Sequence, residues 1–219
     1  MFVERKQEKT MISDMILREK VIAVLRGYET ETALRVAEAL RKGGIRLVEF
    51  PFDQHAPESW ESTVKTIHAL TNENMMIGAG TVTTLELVDL AADAGAGFIV
   101  SPNTKESVIQ RTIERKLVSI AGAMTPTEIL TAHDAGADFV KLFPAGYLGT
   151  AYLKTIRQPV NHVRMLVFGG VDDNNITEFL AAGAVGAGVG NCLVKREWVE
   201  NGAYAKITEA AKRLLERIG

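Results

Sequence analysis

The feature that most constrains the fold of this chain is an alternation of strands and helices that recurs eight times. The apolar runs cover residues 21–25, 45–50, 75–79, 97–101, 117–121, 138–143, 163–168 and 185–190. They are rich in Val and Ile and apolar at successive positions, which is typical of parallel strands buried on both faces. Segments such as 31–44 and 83–96 separate them, with apolar residues spaced as in amphipathic helices.

Four of the predicted helices end in a similar junction, in which glycine follows the last turn and an apolar strand begins two or three residues later. The junctions contain Gly43–Gly44, Gly95, Gly136 and Gly183. Glycine readily adopts the left-handed conformation that ends a helix, so these junctions are predicted to be helix–strand corners. The repeat is therefore one strand and one helix, every 20–30 residues along the chain.

Eight such units with right-handed crossovers predict a closed (β/α)8 barrel. The alternative is an open doubly wound sheet, which usually carries a GxGxxG fingerprint after its first strand. Residues 26–29 (Arg-Gly-Tyr-Glu) follow the first strand here and lack that spacing. No linker or low-complexity segment interrupts the series. We therefore expect a single domain over 1–219, with an extra N-terminal helix at 1–20 and the barrel at 21–219.

Composition excludes several classes of protein. The chain has 25 Lys and Arg against 27 Asp and Glu, so no basic surplus indicates a nucleic acid or an anionic membrane as partner. One cysteine can form no intramolecular disulfide. The N-terminal segment is charged and has no apolar core of a signal peptide, and no apolar run is long enough to span a membrane. These features predict a cytoplasmic protein.

Two charged residues stand near the ends of apolar strands, where the catalytic groups of a barrel gather. Lys141 lies among Val, Leu and Phe, and burial there would lower its pKa and leave a neutral amine able to form a Schiff base with a carbonyl. Glu49 lies in a similar run and is a candidate general acid/base. The alternative interpretation is a structural Glu–Lys pair without chemistry.

Paired glycines follow the last two strands, at Gly169–Gly170 and around Gly188–Asn191. Barrels often bind phosphate through these two loops, because their backbone N–H groups can converge on an anion. The sequence therefore predicts a phosphate site at Gly169, Gly170, Gly190 and Asn191. Such glycines are also consistent with simple tight turns.

Other polar residues are open to two interpretations. Arg26 ends the first strand and could grip a carboxylate or phosphate, or remain solvated. Thr81 follows the third strand and is interpreted either as a substrate contact or as the N-cap of the next helix. Thr125, in Thr-Pro-Thr-Glu, is interpreted as a helix cap.

No metal site or cofactor is expected. The four histidines are scattered without ligand spacing, and the single Cys192 is interpreted as a small packed thiol. Trp60 and Trp198 are assigned to the core or to an interface.

Glu49, the segments 78–82 (GAGTV), 101–104 (SPNT) and 141–145 (KLFPA), and the two glycine pairs together resemble the 2-keto-3-deoxy-6-phosphogluconate (KDPG) and 4-hydroxy-2-oxoglutarate (KHG) aldolase family. The resemblance implies class I aldolase chemistry in a (β/α)8 barrel, usually a homotrimer. It implies Lys141 as the Schiff-base lysine, Glu49 as the acid/base, the glycine loops and Asn191 as the phosphate site, and Thr81 at the pyruvate end.

Two departures from the family pattern fall in the expected carboxylate pocket. Many members carry Arg where this chain has Asp53, although some lack it and keep an arginine like Arg26. The family commonly has Thr where this chain has Phe168, which therefore joins Arg26 and Thr81 as a substrate-binding candidate. An acid in place of a carboxylate-gripping Arg should repel that ligand. The chemistry of the family is thus better supported than its substrate.

Three functions follow. The first is a metal-free class I aldolase that cleaves a 2-keto-3-deoxy-6-phospho sugar acid to pyruvate and an aldehyde phosphate such as glyceraldehyde 3-phosphate. The second is a barrel enzyme acting on a different phosphorylated keto acid or sugar phosphate, favoured by Asp53 and Phe168. The third is a non-catalytic sugar-phosphate-binding protein.

Overall fold

A computed structural model describes residues 2–71 and 75–219, with residues 2–6 described as backbone only. Its strands are Val21–Val24 (β1), Leu47–Pro51 (β2), Met76–Gly80 (β3), Phe98–Val100 (β4), Val118–Ala123 (β5), Phe139–Leu142 (β6), Met165–Phe168 (β7) and Gly186–Val189 (β8). All neighbouring pairs are parallel, and β8 pairs with β1, so the sheet closes in the order β1 to β8. The predicted (β/α)8, or TIM, barrel is confirmed.

Helices separate the strands and continue beyond the last one. They are Phe2–Glu19 (α1), Thr30–Lys42 (α2), Trp60–Leu70 (α3), Leu85–Asp93 (α4), Glu106–Glu114 (α5), Pro126–Asp134 (α6), Ala145–Arg157 (α7), Ile176–Ala181 (α8), Arg196–Glu200 (α9) and Tyr204–Ile218 (α10). A single 3₁₀ turn at Pro57–Ser59 precedes α3. Among the residues described, no helix is both long and apolar enough to cross a membrane.

The strands form where the apolar runs predict them, and no strand end differs by more than two residues. Nearly every strand residue is buried, because the helices cover one face and the barrel interior takes the other. The four predicted corners also form. Gly44, Gly95, Gly136 and Gly183 all have φ between 90° and 102°, a left-handed conformation that glycine adopts without a Cβ clash.

The N-terminal helix α1 covers the amino-terminal end of the barrel. Its Ile12 and Ile16 are buried in the cluster that fills the barrel interior, together with Ile22 and Phe98. The Lys9 ammonium lies 2.9 Å from the Asp138 carboxylate at the start of β6 and ties the helix to the barrel wall. The carboxyl ends of the strands therefore form the open end.

Candidate active site

The two charged strand residues face one cavity at the carboxyl ends of the strands. Lys141 lies on β6 and Glu49 on β2, and both line a cavity of about 760 Å³ that extends to the loops after β7 and β8. Arg26, just beyond β1, lines the same cavity. The closed order of the sheet thus brings together side chains that are up to 115 residues apart in the chain.

Lys141 lies between two aromatic rings. Its Nζ is 4.7 Å from the ring centroid of Phe168 and 5.0 Å from that of Phe143. The residue is only 8% exposed, and burial lowers the pKa of the ammonium. Glu49 raises that pKa through its negative charge, and Arg26 lowers it. The net direction is downward, toward a neutral amine.

Glu49 is even more deeply buried, with 2% of its surface exposed. Burial raises the pKa of the Glu49 carboxyl, while the positive charges of Lys141 and then Arg26 lower it by smaller amounts. Its Oε2 has no hydrogen-bond partner among the described residues. Lys141 and Glu49 do not form an ion pair within 4.0 Å, so the charges interact across the cavity. The structure therefore shows no direct ion pair between Glu49 and Lys141.

Gly80 makes room for the Glu49 carboxylate. A Cβ at position 80 would lie 1.9 Å from Glu49 Oε1, far inside van der Waals distance. Gly80 pairs with Pro51 on β2, two residues beyond Glu49. Nothing in the sequence distinguishes Gly80 beyond its place in the 78–82 motif, because only the closed sheet brings it against Glu49.

Phe168 is part of the barrel interior as well as of the cavity wall. Its ring is 3% exposed and packs against Gly188, where a Cβ would lie 1.9 Å from a ring carbon. The face of an aromatic ring attracts a cation, so Phe168 favours the ammonium form of Lys141 and opposes the effect of burial. A phenyl ring at this position offers no hydrogen bond to a carboxylate.

The predicted phosphate residues meet at the outer side of this cavity. Gly169 and Gly170 have φ of 79° and 76°, and Gly190 and Asn191 line the cavity opposite them. Among the described residues, the backbone N–H groups of these four take part in no hydrogen bond. Carbonyl groups of the loop are occupied instead, since Gly146 N–H donates to Gly169 O and Asn175 Nδ2 donates to Gly170 O. These four N–H groups are therefore available to donate hydrogen bonds to a bound anion.

Arg26 connects this cavity with a second one of about 590 Å³. The second cavity is lined by Arg26, Asp53 and Thr81 among others, and Thr81 does not line the cavity that holds Lys141. Asp53 Oδ1 accepts a hydrogen bond from His55 N–H at 2.8 Å, and Trp60 Nε1 donates to the Asp53 carbonyl. The loop after β2 is thereby held at the mouth.

The two threonines with helix-cap interpretations have different outcomes. The N-cap of α4 is Thr84, whose Oγ1 accepts from Leu87 N–H, so the interpretation of Thr81 as that cap is wrong. Thr81 instead has φ of 54°, an uncommon conformation for a β-branched residue, and its carbonyl accepts from Gln54 Nε2. The cap at Thr125 is confirmed, as a capping box with Glu128.

The remaining candidates carry little chemistry. Burial raises the pKa of the Cys192 thiol to about 11, so at neutral pH it is protonated and a poor nucleophile. Within the described ranges no three His, Cys, Asp or Glu side chains are grouped to hold a metal ion. Two cations that the sequence analysis did not single out, Lys195 and Arg213, also line the Lys141 cavity.

The fold and the site together define a barrel enzyme with a desolvated amine and a desolvated carboxyl at its mouth. A family model described as "Aldolase: KDPG and KHG aldolase" matches residues 12–210. The chain belongs to this KDPG and KHG aldolase family, and the resemblance drawn from its motifs is confirmed. Members of the family are carbon–carbon lyases, so the chain is an enzyme and not a non-catalytic binding protein.

Curated relatives agree on the class of enzyme and differ in the sugar acid. The chain is 34% identical over 176 residues to the 2-dehydro-3-deoxy-6-phosphogalactonate aldolase of Escherichia coli K12, covering 80% of this chain and 84% of the relative. It is 32% identical over 211 residues to the 2-dehydro-3-deoxy-phosphogluconate aldolase of Treponema pallidum, covering 95% and 98%.

A solved structure of similar fold is the KDPG aldolase of Legionella pneumophila, with pyruvate captured at low pH as a covalent carbinolamine intermediate. It superposes with a TM-score of 0.82 and 28% identity, covering 91% of this chain and 96% of the other. The captured carbinolamine belongs to that protein.

Proposed function

We propose that this chain is a class I aldolase that cleaves a 2-keto-3-deoxy-6-phospho sugar acid to pyruvate and an aldehyde phosphate such as glyceraldehyde 3-phosphate. The observation that carries the proposal is the pairing of Lys141 and Glu49. Both are buried in one cavity, both have pKa values moved toward their neutral forms, and no direct ion pair neutralises them.

The first half of the reaction uses the Lys141 amine. Its lone pair attacks C2 of the substrate and gives a carbinolamine, which takes up a proton and loses water to become a protonated imine. The C3–C4 bond then breaks and its electron pair moves to the imine nitrogen, forming an enamine. The C4 hydroxyl proton passes to Glu49, and the aldehyde phosphate leaves.

The second half returns the enzyme to its starting state. Glu49 gives a proton to C3 of the enamine, so that the bound fragment becomes the imine of pyruvate. Water adds to the imine carbon, the C–N bond breaks, and pyruvate and the free amine of Lys141 are released. A carboxyl of raised pKa suits this work, because it can both hold and release a proton near neutral pH.

We infer the binding roles from the cavity. The substrate phosphate is placed at the free N–H groups of Gly169, Gly170, Gly190 and Asn191. Arg26, which has no ion-pair partner within 4.0 Å among the described residues, is placed at the carboxylate. Thr81 would contribute from the second cavity, next to Arg26. Phe168, whose ring packs against the Lys141 side chain, would bound the substrate on that side.

The test is covalent trapping combined with turnover. Pyruvate plus borohydride should add the mass of a reduced pyruvate imine to the wild-type chain at Lys141, and the phosphorylated keto acid should give pyruvate. Lys141→Met should abolish both trapping and turnover. Glu49→Gln should leave the final extent of trapping unchanged while lowering kcat by about 10²–10⁴-fold. Absence of both trapping and turnover in the wild type would refute the proposal.

A second function is supported by Phe168, because its apolar ring offers no hydrogen bond to a substrate carboxylate. It is a barrel enzyme on another phosphorylated keto acid or sugar phosphate, with Glu49 as base and without a Schiff base. The variant Lys141→Arg distinguishes the two functions, because it keeps the positive charge and removes the nucleophilic amine. Retained turnover in that variant would favour the second function.

We also propose that the chain forms a homotrimer. Support comes from four exposed apolar side chains on consecutive parts of the barrel, at Met124, Leu130, Phe143 and Tyr147, of which Tyr147 is 90% exposed. Light scattering should give three times the 23.8 kDa chain mass. Tyr147→Asp should shift the protein toward monomer, whereas a monomeric wild type at micromolar concentration would contradict the proposal.

A further inference from the structure

Two cations face the outer part of the Lys141 cavity. Lys195 lies in the loop between β8 and α9, and Arg213 lies on α10. Both line the cavity that also contains Gly170 and Asn191. Both side chains are exposed, and the Lys195 ammonium is 5.0 Å from the centroid of the Trp198 ring.

Neighbouring cations in the chain have partners that these two lack. Arg196 is 3.0 Å from Glu200, and Lys212 is 3.2 Å from Glu209, each within its own helix. Lys195 and Arg213 have no carboxylate within 4.0 Å in the part of the chain that the structure describes. Their positive charges therefore remain free to bind an anion in the cavity.

The loop after β7 carries two acidic side chains that would oppose the binding of a dianion. Asp172 and Asp173 line the same part of the cavity and would repel a phosphate. The N–H groups of the glycine loops can donate hydrogen bonds to a phosphate but carry no formal charge. Lys195 and Arg213 bring two positive charges to the same cavity, which equals the charge of the two acids.

We propose that Lys195 and Arg213 bind the phosphate of the substrate and determine the preference for phosphorylated over non-phosphorylated aldol substrates. The inference rests on the proposed aldolase function and adds to it two residues outside the glycine loops. Because both side chains are exposed, their contribution depends on ionic strength and appears mainly in KM.

The test compares Lys195→Met and Arg213→Met with two matched controls, Arg196→Met and Lys212→Met. Each control removes one positive charge from the adjacent residue, which does not line this cavity. Steady-state kinetics are measured on a phosphorylated keto acid and on the same keto acid without its phosphate. Each test variant should raise KM for the phosphorylated substrate about 5- to 20-fold with little change in kcat. Values for the non-phosphorylated substrate and for both controls should stay within about twofold.

Binding of inorganic phosphate, followed by calorimetry or by ³¹P line broadening, gives a readout that does not need turnover. It should weaken in both test variants, and added salt should reduce the difference from wild type. Equal losses on the two substrates, or equal losses in the controls, would overturn the assignment. A wild type that binds phosphate through these cations but cleaves no keto acid would instead contradict the proposed function alone.

Discussion

Substitution of Gly80 by alanine tests whether the position of the Glu49 carboxylate controls the reaction. The added methyl group would lie 1.9 Å from Oε1, 2.6 Å from Cδ and 2.8 Å from Cγ of Glu49. Gly80 is not one of the left-handed glycines, so the alanine backbone itself is unstrained. The nearest atoms all belong to the Glu49 side chain, which is 2% exposed and would have to shift within the cavity that it lines with Lys141.

The size of the effect follows from this distance. The carboxylate must recede by about 1.5 Å to reach an ordinary contact with the new methyl group. A misplacement of about 1 Å in a catalytic group costs about 10²-fold in rate, or about 2.7 kcal/mol in the barrier. Overpacking of a buried strand should also lower the free energy of unfolding by about 1–3 kcal/mol.

Two measurements separate this mechanism from general damage. In Gly80→Ala, kcat for the phosphorylated keto acid should fall, while pyruvate and borohydride still trap Lys141 to completion. In a double-mutant cycle with Glu49→Ala, the new methyl group fills the space that the glutamate leaves. In that background, Gly80→Ala should therefore change neither kcat nor the free energy of unfolding appreciably. If the free-energy effects of Gly80→Ala and Glu49→Ala are additive to within about 0.5 kcal/mol, the two residues do not interact, and the steric mechanism is refuted.

Three further predictions concern the amine, its aromatic contact and a helix cap. The rate of pyruvate trapping by borohydride should rise with pH and level off below the ordinary pKa of lysine, because burial lowers the pKa of Lys141. A plateau reached only in the ordinary lysine range would contradict this prediction. Phe168→Leu removes a ring 4.7 Å from the ammonium and should move that profile to still lower pH by up to about one unit, whereas an unchanged profile would mean that the ring does not stabilise the cation. Thr125→Ala removes the capping box of α6 and should lower the free energy of unfolding by about 1 kcal/mol in urea titrations. Thr127→Ala, at an exposed threonine of the same helix, is the control, and equal losses in the two variants would argue against the cap.

The arrangement of strands follows from the sequence because each apolar run is long enough to fill both faces of a buried strand. Segments of mixed polarity cannot do this, so strand positions are determined locally. The register of the helix–strand corners is equally local, since Gly95 and Gly183 adopt the conformation that their position after a helix predicts. Errors are confined to strand ends, where hydrogen bonding to a neighbour extends or shortens the run by a residue or two.

The central pair of the site was also predictable, for a related reason. A charge inside an apolar strand is costly to bury, so Lys141 and Glu49 stand out in a linear sequence. The contacts that refine the site leave no such signal. In the sequence, Gly80 resembles any other strand glycine, and its contact with Glu49 appears only in the structure. Phe168 is a candidate from the family resemblance, but the contact of its ring with Lys141 also appears only in the structure. Arg213 reaches the cavity only through the packing of the last helix.

Closure of the barrel base by α1 has a consequence for the order in which molecules pass through the site. Since Ile12 and Ile16 fill the lower end, everything that reaches Lys141 enters and leaves by the same mouth. In the proposed mechanism, pyruvate would remain bonded to the amine while the aldehyde phosphate, nearer the mouth, departs. In the direction of condensation this sequence reverses, and pyruvate must load before the aldehyde can occupy the entrance. The proposed aldolase would therefore follow ordered kinetics, and excess aldehyde phosphate would inhibit condensation by occupying the mouth before pyruvate binds.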